Sequence, residues 1–314
     1  MGKKNRNRGQ GRQESGPAPI ADSKSPSPAK TPVPKWVILA ALLAIAVTVI
    51  VVLVNQGGDD ITLEWTVLAD FKHQTEKAYT QGLEFHKGFL FEGTGFTKES
   101  DWRILNLQTG EICYRYGISS DLFGEGITIL DDVLYQITWR NHVAFTFDLS
   151  GLRLDEKDSM LVTAEDFKDL RAIRKGKFKY EGEGWGLTND GTHLIMSSGS
   201  TNGEIVYRDK EFNIVKTIVV TDADGDPVAK LNELEYHDGH IWANVYETDF
   251  ILKIDAETGE VVDKADLSGI LPEGTELEPG HVLNGIARDP LNGKMYVTGK
   301  NWPRLFDVRF TKKK

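Results

Sequence analysis

The chain has 314 residues, of which 40% are hydrophobic and 27% charged, and its formal net charge is −10. This composition excludes a fully disordered chain and provides enough apolar material for a core. Residues 1–60 hold eight basic and four acidic side chains, so residues 61–314 carry a net charge of −14. An acidic body argues against binding to phosphate backbones, and we predict no nucleic-acid partner. The lone cysteine, Cys113, excludes an intrachain disulfide and a thiolate metal cluster.

The N-terminal segment divides into a tail, an apolar stretch and a linker. Residues 1–35 are rich in Lys, Arg, Gly, Pro and Ser and predict a disordered basic tail. Residues 36–54 contain no charge and are close to the length of a helix that crosses a bilayer, so we predict a transmembrane helix there and a linker over 55–62. The basic residues before this helix place the tail in the cytoplasm and the body on the extracytoplasmic side. A buried core helix and a cleaved signal peptide are the alternatives.

Beyond residue 60, short apolar runs alternate with Gly, Asn and Asp turns, and helical periodicity is almost absent. We therefore predict an all-β body. Five segments begin with a similar three-residue sequence and continue into an apolar strand. Their first residues are 44, 60, 47 and 52 positions apart. A period near 50 with paired strands is typical of propeller blades. The residues that open the five repeats are Gln81, Glu125, Trp185, Asn232 and Asn284.

The N-terminal strand is expected to complete the last blade. The fifth repeat supplies only three strands, whereas Leu63–Phe71 is an additional strand before the first repeat. Pairing the two closes the ring and leaves no half-blade with a free edge. We therefore expect a five-bladed propeller over 63–310 and a basic C-terminal tail over 311–314. The longest repeat contains an insert over 152–180, in which Ala164–Ile173 has a helical pattern.

Polar and aromatic residues are expected to meet at the central channel. Equivalent positions of the innermost strands face one another in a propeller, so the five opening residues form a ring. The ends of the next strands give a second ring, which includes Trp139, Tyr246 and Lys300. A carboxylate, carboxamides and an indole in one channel indicate a binding or catalytic site.

Eight short motifs, in order along residues 65–310, resemble the plant-type glutaminyl-peptide cyclotransferases, which also occur in bacteria. The motifs are Tyr79-Thr-Gln-Gly-Leu83, Phe123-Gly-Glu-Gly-Ile127, Ile137-Thr-Trp139, Glu183-Gly-Trp-Gly-Leu187, Leu231-Asn-Glu-Leu-Glu235, Ile241-Trp-Ala-Asn-Val245, Val282-Leu-Asn-Gly-Ile-Ala287 and Val297-Thr-Gly-Lys-Asn-Trp-Pro303. The resemblance implies a five-bladed propeller that converts the N-terminal glutamine of a peptide or protein into pyroglutamate and releases ammonia. We expect no cofactor and no metal.

Three residues are predicted to be catalytic in that reaction. Glu125 takes a proton from the attacking α-amine and passes it to the leaving nitrogen, a role that the resemblance also implies. Lys300 and Asn232 are candidates for stabilising the amide oxygen as it gains negative charge. The predicted substrate-binding residues are Tyr79, Gln81, Trp139, Trp185 and Tyr246. Hydrogen-bonding partners behind them are predicted at Glu92, Glu233, Glu235 and Asn284.

Two other functions fit the same residues. Calcium-dependent lactonase-like propellers place a glutamate and several asparagines around a central ion, and Glu125, Asn232 and Asn284 could supply those oxygen ligands. The expected blade count and the cationic Lys300 argue against that function. A propeller that binds peptides without catalysis is the second alternative.

Overall fold

The computed structural model describes residues 61–73, 78–151, 162–168 and 173–314. The predicted tail, transmembrane helix and most of the linker fall in residues 1–60 and lie outside the described residues, as do parts of the insert over 152–180. Within the described ranges, no helix is long and apolar enough to cross a membrane. The predictions for the N-terminal segment therefore stay predictions.

Strands dominate the described residues, as the sequence predicts, and form arrays of four. The first array contains β2 (Thr80–His86), β3 (Phe89–Thr94), β4 (Asp101–Leu105) and β5 (Ile112–Gly117). The second contains β6 (Gly124–Leu130), β7 (Val133–Thr138), β8 (Val143–Asp148) and β9 (Ile173–Lys179). The third contains β10 (Leu187–Asn189), β11 (Leu194–Ser197), β12 (Glu204–Arg208) and β13 (Ile214–Val219).

Two further arrays share one eight-stranded sheet. The fourth array contains β14 (Leu231–His237), β15 (His240–Val245), β16 (Phe250–Asp255) and β17 (Val261–Asp266). The fifth contains β18 (Leu283–Arg288), β19 (Met295–Gly299), β20 (Arg304–Lys312) and β1 (Leu63–Lys72). Each array pairs antiparallel, and a single parallel pairing of Leu63 with Ala265 joins β1 to β17.

The N-terminal strand completes the fifth array. β1 pairs with β20 along its whole length and covers the edge that β20 would otherwise expose, as predicted. β20 continues to Lys312, which pairs with Leu63. The predicted start of a tail after residue 310 is therefore wrong, because Thr311 and Lys312 still pair with β1.

The arrays are arranged in a closed cycle. Among the described strands, β2 contacts β6, β6 contacts β10, β10 contacts β14, β14 contacts β18, and β18 contacts β2. A separate apolar cluster lies between each pair of neighbouring arrays. Trp102 and Ile127 belong to the cluster between the first two arrays, and Leu83 and Tyr296 to the one between the fifth and the first. The described body is a β-propeller whose innermost strands surround a channel.

Two hairpins that are nearly identical in sequence, β4–β5 and β16–β17, share one turn. Gly110 and Gly259 have φ angles of 72° and 84°, and each donates its N–H to the carbonyl four residues earlier. A Cβ at Gly110 would overlap the carbonyl oxygen of Lys72, and one at Gly259 would overlap that of Val219. Glycine therefore allows both the left-handed turn and the close packing of an array on the preceding one.

The insert before β9 differs from its predicted helix. Ala164–Phe167 forms a 3₁₀ turn, and β9 begins at Ile173, so the prediction of a helix over Ala164–Ile173 is wrong at its C-terminal end. Phe167 is buried and its ring centroid lies 5.8 Å from that of Phe89. This aromatic residue fixes the turn against β3.

Candidate functional site

Four of the five residues that open the repeats lie at equivalent β-bulges. The pairing of the first strand with the second strand shifts register at these positions, which are Gln81, Glu125, Asn232 and Asn284. A bulge leaves an extra residue outside the regular ladder and re-aims its side chain. The same local irregularity therefore presents chemically different side chains near the axis.

Glycine follows four of the opening residues, because the innermost strands approach each other closely there. A Cβ at Gly126 would lie 2.5 Å from the backbone nitrogen of Leu187. One at Gly186 would overlap the carbonyl oxygen of Asn232. These close approaches hold the opening residues of neighbouring arrays next to one another.

Glu233 stands at the corresponding position of the fourth array and links three innermost strands. Its carboxylate accepts the N–H of Leu83 at 3.0 Å and the N–H of Ile286 at 2.7 Å. Burial raises the pKa of Glu233 well above its usual range, although these two hydrogen bonds oppose the shift. Glu235 makes a similar link by accepting the N–H of Arg288 at 3.0 Å. Both glutamates therefore hydrogen-bond to backbone groups of neighbouring innermost strands, and their role behind the substrate-binding residues stays a prediction.

One pocket of about 230 Å³ lies where the opening residues converge. Its lining residues are Tyr79, Gln81, Phe123, Glu125, Trp139, Trp185, Asn232, Tyr246 and Lys300. The structure thus brings together all eight residues that the sequence predicts as catalytic or substrate-binding. Phe123 is the additional one, and its place two residues before Glu125 in the Phe-Gly-Glu motif was the available signal.

Glu125 is 5% exposed within this pocket. Burial raises the pKa of its carboxyl group well above the usual range. The positive charge of Lys300 opposes this shift, and the carboxylate of Glu183 adds to it. A raised pKa makes the carboxylate form of Glu125 a stronger base than an exposed carboxylate, which suits this residue to general acid–base catalysis.

Lys300 is 2% exposed and is held from several sides. Its Nζ donates to Oε1 of Gln81 and lies 4.7 Å from the ring centroid of Tyr79 and 5.7 Å from that of Tyr246. Burial lowers the pKa of Lys300 to about 8, although neighbouring carboxylates favour its charged form. The pocket therefore contains a fixed cation that loses its proton under mildly alkaline conditions.

Asn284 and Glu92 lie behind the pocket. Asn284 donates from Nδ2 to the carbonyl of Thr80 at 2.9 Å and to Oε1 of Gln81 at 3.4 Å. Glu92 accepts from Oγ1 of Thr80 at 2.6 Å and lies 3.0 Å from Nε2 of His73. Burial alone would raise the pKa of Glu92, but His73 and Arg103 hold it below its usual range. Asn284 thus hydrogen-bonds to Gln81 itself, whereas Glu92 hydrogen-bonds to Thr80, the residue that precedes Gln81.

Asn232 places an unsatisfied acceptor in the pocket. It is 3% exposed, and its buried Oδ1 has no hydrogen-bond partner among the described residues. Leaving a buried polar atom unpaired costs about 1–3 kcal/mol. A ligand N–H that reaches this oxygen removes that cost.

The walls of the pocket are aromatic. The rings of Tyr79 and Phe123 meet edge to face at 6.3 Å, as do those of Trp185 and Tyr246 at 5.4 Å. Phe123 also contacts Trp139 at 5.7 Å. Burial, together with Tyr246 and Glu125, raises the pKa of Tyr79 to about 12, so its hydroxyl stays neutral. Such walls exclude water and attract a cationic ligand group.

Glu183 is a residue of this region that the sequence prediction did not select. Its Oε2 accepts from Nε1 of Trp139 at 2.7 Å and from Nε1 of Trp185 at 3.0 Å, and its Oε1 accepts from Nε of Arg140 at 2.8 Å. Burial would raise the pKa of Glu183, but these hydrogen bonds hold it below the usual range. Its place two residues before Trp185 in the Glu-Gly-Trp motif was the available signal, whereas its contact with Trp139, which comes from a different array, could not be read from the spacing.

The oxygen ligands suggested for a lactonase-like calcium site are not all in the pocket. Glu125 and Asn232 line it together with Lys300, whereas Asn284 does not. In the part of the chain that the structure describes, no group of three or more His, Cys, Asp or Glu residues is arranged to hold a metal ion. The arrangement instead combines an acid–base group, a cation and a free acceptor inside aromatic walls.

Comparisons with known proteins identify the family of this chain. The chain is 34% identical to a glutaminyl-peptide cyclotransferase of Arabidopsis thaliana over 256 residues, which are 78% of this chain and 71% of the plant protein. The crystal structure of the glutaminyl cyclase of Myxococcus xanthus superposes with a TM-score of 0.69 at 31% identity, covering 82% of this chain and all of the bacterial one. The family model for glutamine cyclotransferases matches residues 41–310. With this match over most of its length, the chain belongs to the glutamine cyclotransferase family.

Proposed function

We propose that this protein is a glutaminyl-peptide cyclotransferase, which converts the N-terminal glutamine of peptides or proteins into pyroglutamate. The observation that carries the proposal is the convergence of Glu125, Lys300 and Asn232 in one aromatic pocket of a family member. The five arrays are, on this proposal, the five blades of the propeller. The closed cycle of contacts among their first strands supports that count.

The reaction needs no external nucleophile. The α-amino nitrogen of the substrate attacks the carbon of its own side-chain carboxamide, a C–N bond forms, and a five-membered lactam closes. The bond from that carbon to the amide nitrogen then breaks, and ammonia leaves. Holding the substrate in the folded conformation is an orientation effect, which can recover as much as about 7–11 kcal/mol of barrier.

Glu125 transfers the proton that this reaction moves. An α-amino group has a pKa of about 7.7–8.0, well above that of an ordinary carboxyl group, and burial raises the pKa of Glu125 toward it, so that Glu125 is a better acceptor for the amine proton. The attacking amine loses one proton as the new bond forms, and the leaving nitrogen gains one as the old bond breaks. A single carboxyl group between the two nitrogens performs both transfers.

Lys300 and Asn232 hold the reacting amide and amine. The Lys300 ammonium is a fixed donor for the carbonyl oxygen as it becomes negative, a contribution of about 2.7–4 kcal/mol in comparable sites. Asn232 is predicted from its position to have the same role, yet its unpaired atom is the acceptor Oδ1. We therefore propose that Asn232 accepts an N–H of the substrate.

Mass spectrometry of a glutamine-initiated peptide tests the proposed activity. The full-length protein is expected to release one ammonia per peptide, so the mass of the peptide should fall by the mass of one ammonia molecule. The same peptide with an acetylated N-terminus is the control, because its nitrogen cannot attack. Absence of ammonia release from the free peptide would contradict the proposal, and activity that disappears with a chelator would favour a metal-dependent hydrolase.

The location of the body is also a proposal. The apolar segment over 36–54 would anchor the chain, with the basic tail in the cytoplasm and the propeller on the other side. Peptide substrates would then be extracytoplasmic. Protease treatment of intact cells is expected to digest the body and to spare the tail, whereas a protected body would contradict this orientation.

A further inference from the structure

We propose that Glu183 is a positioning residue that fixes Trp139 and Trp185 in the orientation required to bind the substrate. This inference rests on the proposed cyclotransferase function. It concerns a carboxylate at the edge of the pocket that does not itself line the cavity.

One carboxylate oxygen connects two arrays. Trp139 follows the last residue of β7 in the second array, and Trp185 precedes β10 in the third. Both indoles donate Nε1–H to the same Oε2 of Glu183, at 2.7 Å and 3.0 Å. Hydrogen bonds to an ionised acceptor are stronger than neutral ones, so the two rings are held at a fixed separation.

Each indole also rests against a second fixed group. The guanidinium of Arg140 lies 4.0 Å from the ring centroid of Trp139 and donates to the other oxygen of Glu183 at 2.8 Å. Gly199 lies against Trp185, where a Cβ would come within 2.6 Å of the ring. The contacts on the rings and the hydrogen bonds at their nitrogens together define one orientation for each indole.

The backbone around Glu183 is anchored as well. Gly184 donates its N–H to the carbonyl of Trp139 at 3.1 Å, and Trp185 donates its N–H to the carbonyl of Ser197 at 3.1 Å. A Cβ at Gly184 would overlap the hydroxyl of Tyr180. The carboxylate of Glu183 therefore projects from a fixed loop, and its side chain is 32% exposed at the rim.

An amide in place of this carboxylate cannot reproduce the arrangement. Glutamine offers one acceptor oxygen and one NH₂ group, and the NH₂ group is a donor. Because both indoles donate to one oxygen and Arg140 donates to the other, a glutamine at position 183 must direct its NH₂ group either at the Arg140 guanidinium or at both indoles. The outcome is a loosened pocket wall with the chain fold unchanged.

The charge of Glu183 also acts on Glu125. The charged groups that shift the pKa of Glu125 are Lys300 and Glu183, and the charge of Glu125 in turn raises the pKa values of the neighbouring Tyr79 and Tyr180. Glu183 contributes negative charge and raises the pKa of Glu125. Removing that charge shifts the acid limb of the pH–rate profile to lower pH, because Glu125 must be ionised to accept the proton.

Steady-state kinetics of Glu183→Gln on a glutamine-initiated peptide test the proposal. We expect KM to rise about tenfold, equivalent to 1.4 kcal/mol of binding, with a smaller change in kcat and an acid limb at lower pH. Glu181→Gln is the matched control, since Glu181 is exposed two residues away in the same loop. Glu183→Asp keeps the charge but shortens the reach, so its KM should rise while its acid limb stays in place.

A double-mutant cycle shows whether Glu183 acts through the indoles. In a Trp139→Phe or Trp185→Phe background, one of the two hydrogen bonds is already lost, and Glu183→Gln should raise KM by less than it does in the wild type. An unchanged KM for both Glu183 variants, or the same increase in every background, would overturn the inference. A wild-type protein that makes no pyroglutamate would instead overturn the proposed function.

Discussion

Lys300 is a buried cation whose protonation state should set the alkaline limit of activity. Burial lowers its pKa to about 8. As pH rises through that value, the ammonium becomes a neutral amine and stabilises the developing oxyanion less. We therefore expect kcat to fall above about pH 8, measured as a pH–rate profile with saturating peptide. A kcat that stays constant well above this pH would contradict the role of Lys300.

The same residue should lower the stability of the fold. The pKa of Lys300 is about 8 in the folded protein and 10.5 in an unfolded chain, so the folded state binds fewer protons between these values and stability rises with pH across this window. Below pH 8 the buried ammonium lowers the free energy of unfolding by its full amount, which is at most about 3 kcal/mol.

Lys300→Met is therefore expected to lower kcat about 100-fold or more and to raise the melting temperature at pH 7. The gain in melting temperature should diminish toward pH 10.5. Thermal unfolding at both pH values checks the expectation, and Lys253→Met, at a partly exposed lysine on β16, is the control. A Lys300→Met variant that is both inactive and less stable at pH 7 would contradict it.

The site residues were predictable from sequence to the extent that they occupy repeated positions. Glu125 and Asn232 open two repeats, and the structure places both in the pocket. Glu183 was not predictable in this way, because its importance comes from indole nitrogens that only the folded chain brings to it. Pattern reasoning finds equivalent positions, whereas contacts between different arrays require the tertiary structure.

The innermost strands depend on the glycine that directly follows four of the five opening residues. Gly186→Ala should destabilise the fold by about 1–3 kcal/mol, the range for overpacked cores, because its Cβ would overlap the carbonyl oxygen of Asn232. Activity should also fall, since Asn232 would be displaced. Chemical denaturation and peptide turnover measure the two effects.

The matched control for that variant is Gly117→Ala. Gly117 is exposed at the end of β5, and a Cβ there would meet no atom within 4 Å. We expect little change in its free energy of unfolding. Equal stabilities for Gly186→Ala and Gly117→Ala would show that the close approach of the innermost strands does not limit the fold.

The order of strands could be read from the sequence, but their register could not. The repeats predicted the opening residues, whereas the bulges depend on how the first and second strands of an array pair. The insert shows a second limit. Phe167 contributes to a helical pattern, yet it packs against Phe89 from a short 3₁₀ turn. Local periodicity does not distinguish these outcomes.

The whole propeller depends on the strand that the N-terminus contributes. β1 covers the edge of β20, and Nε1 of Trp65 donates to the carbonyl of Asp266 at 2.5 Å. A chain that begins at Ile61 should have the melting temperature of the full-length body. A chain that begins at His73 should unfold at a lower temperature or aggregate through the exposed β20 edge. Equal melting temperatures for the two truncations would contradict closure by β1.

Closure of the propeller by β1 was predictable because it follows from counting the strands in the repeats. The acidic character of the body was predictable from its composition. The position of the body relative to a membrane does not follow from the fold of the propeller. It depends on residues 36–54, which lie outside the described residues, and stays a prediction.

The role proposed for Glu125 is proton transfer during cyclisation in this pocket. Its most direct test compares the wild type with Glu125→Gln by mass spectrometry of a glutamine-initiated peptide, with Glu111→Gln at an exposed turn as the control. Wild type and control should convert the peptide to its pyroglutamate form, whereas Glu125→Gln should bind it but convert it at least about 100-fold more slowly. Conversion by Glu125→Gln at the wild-type rate would contradict this role of Glu125.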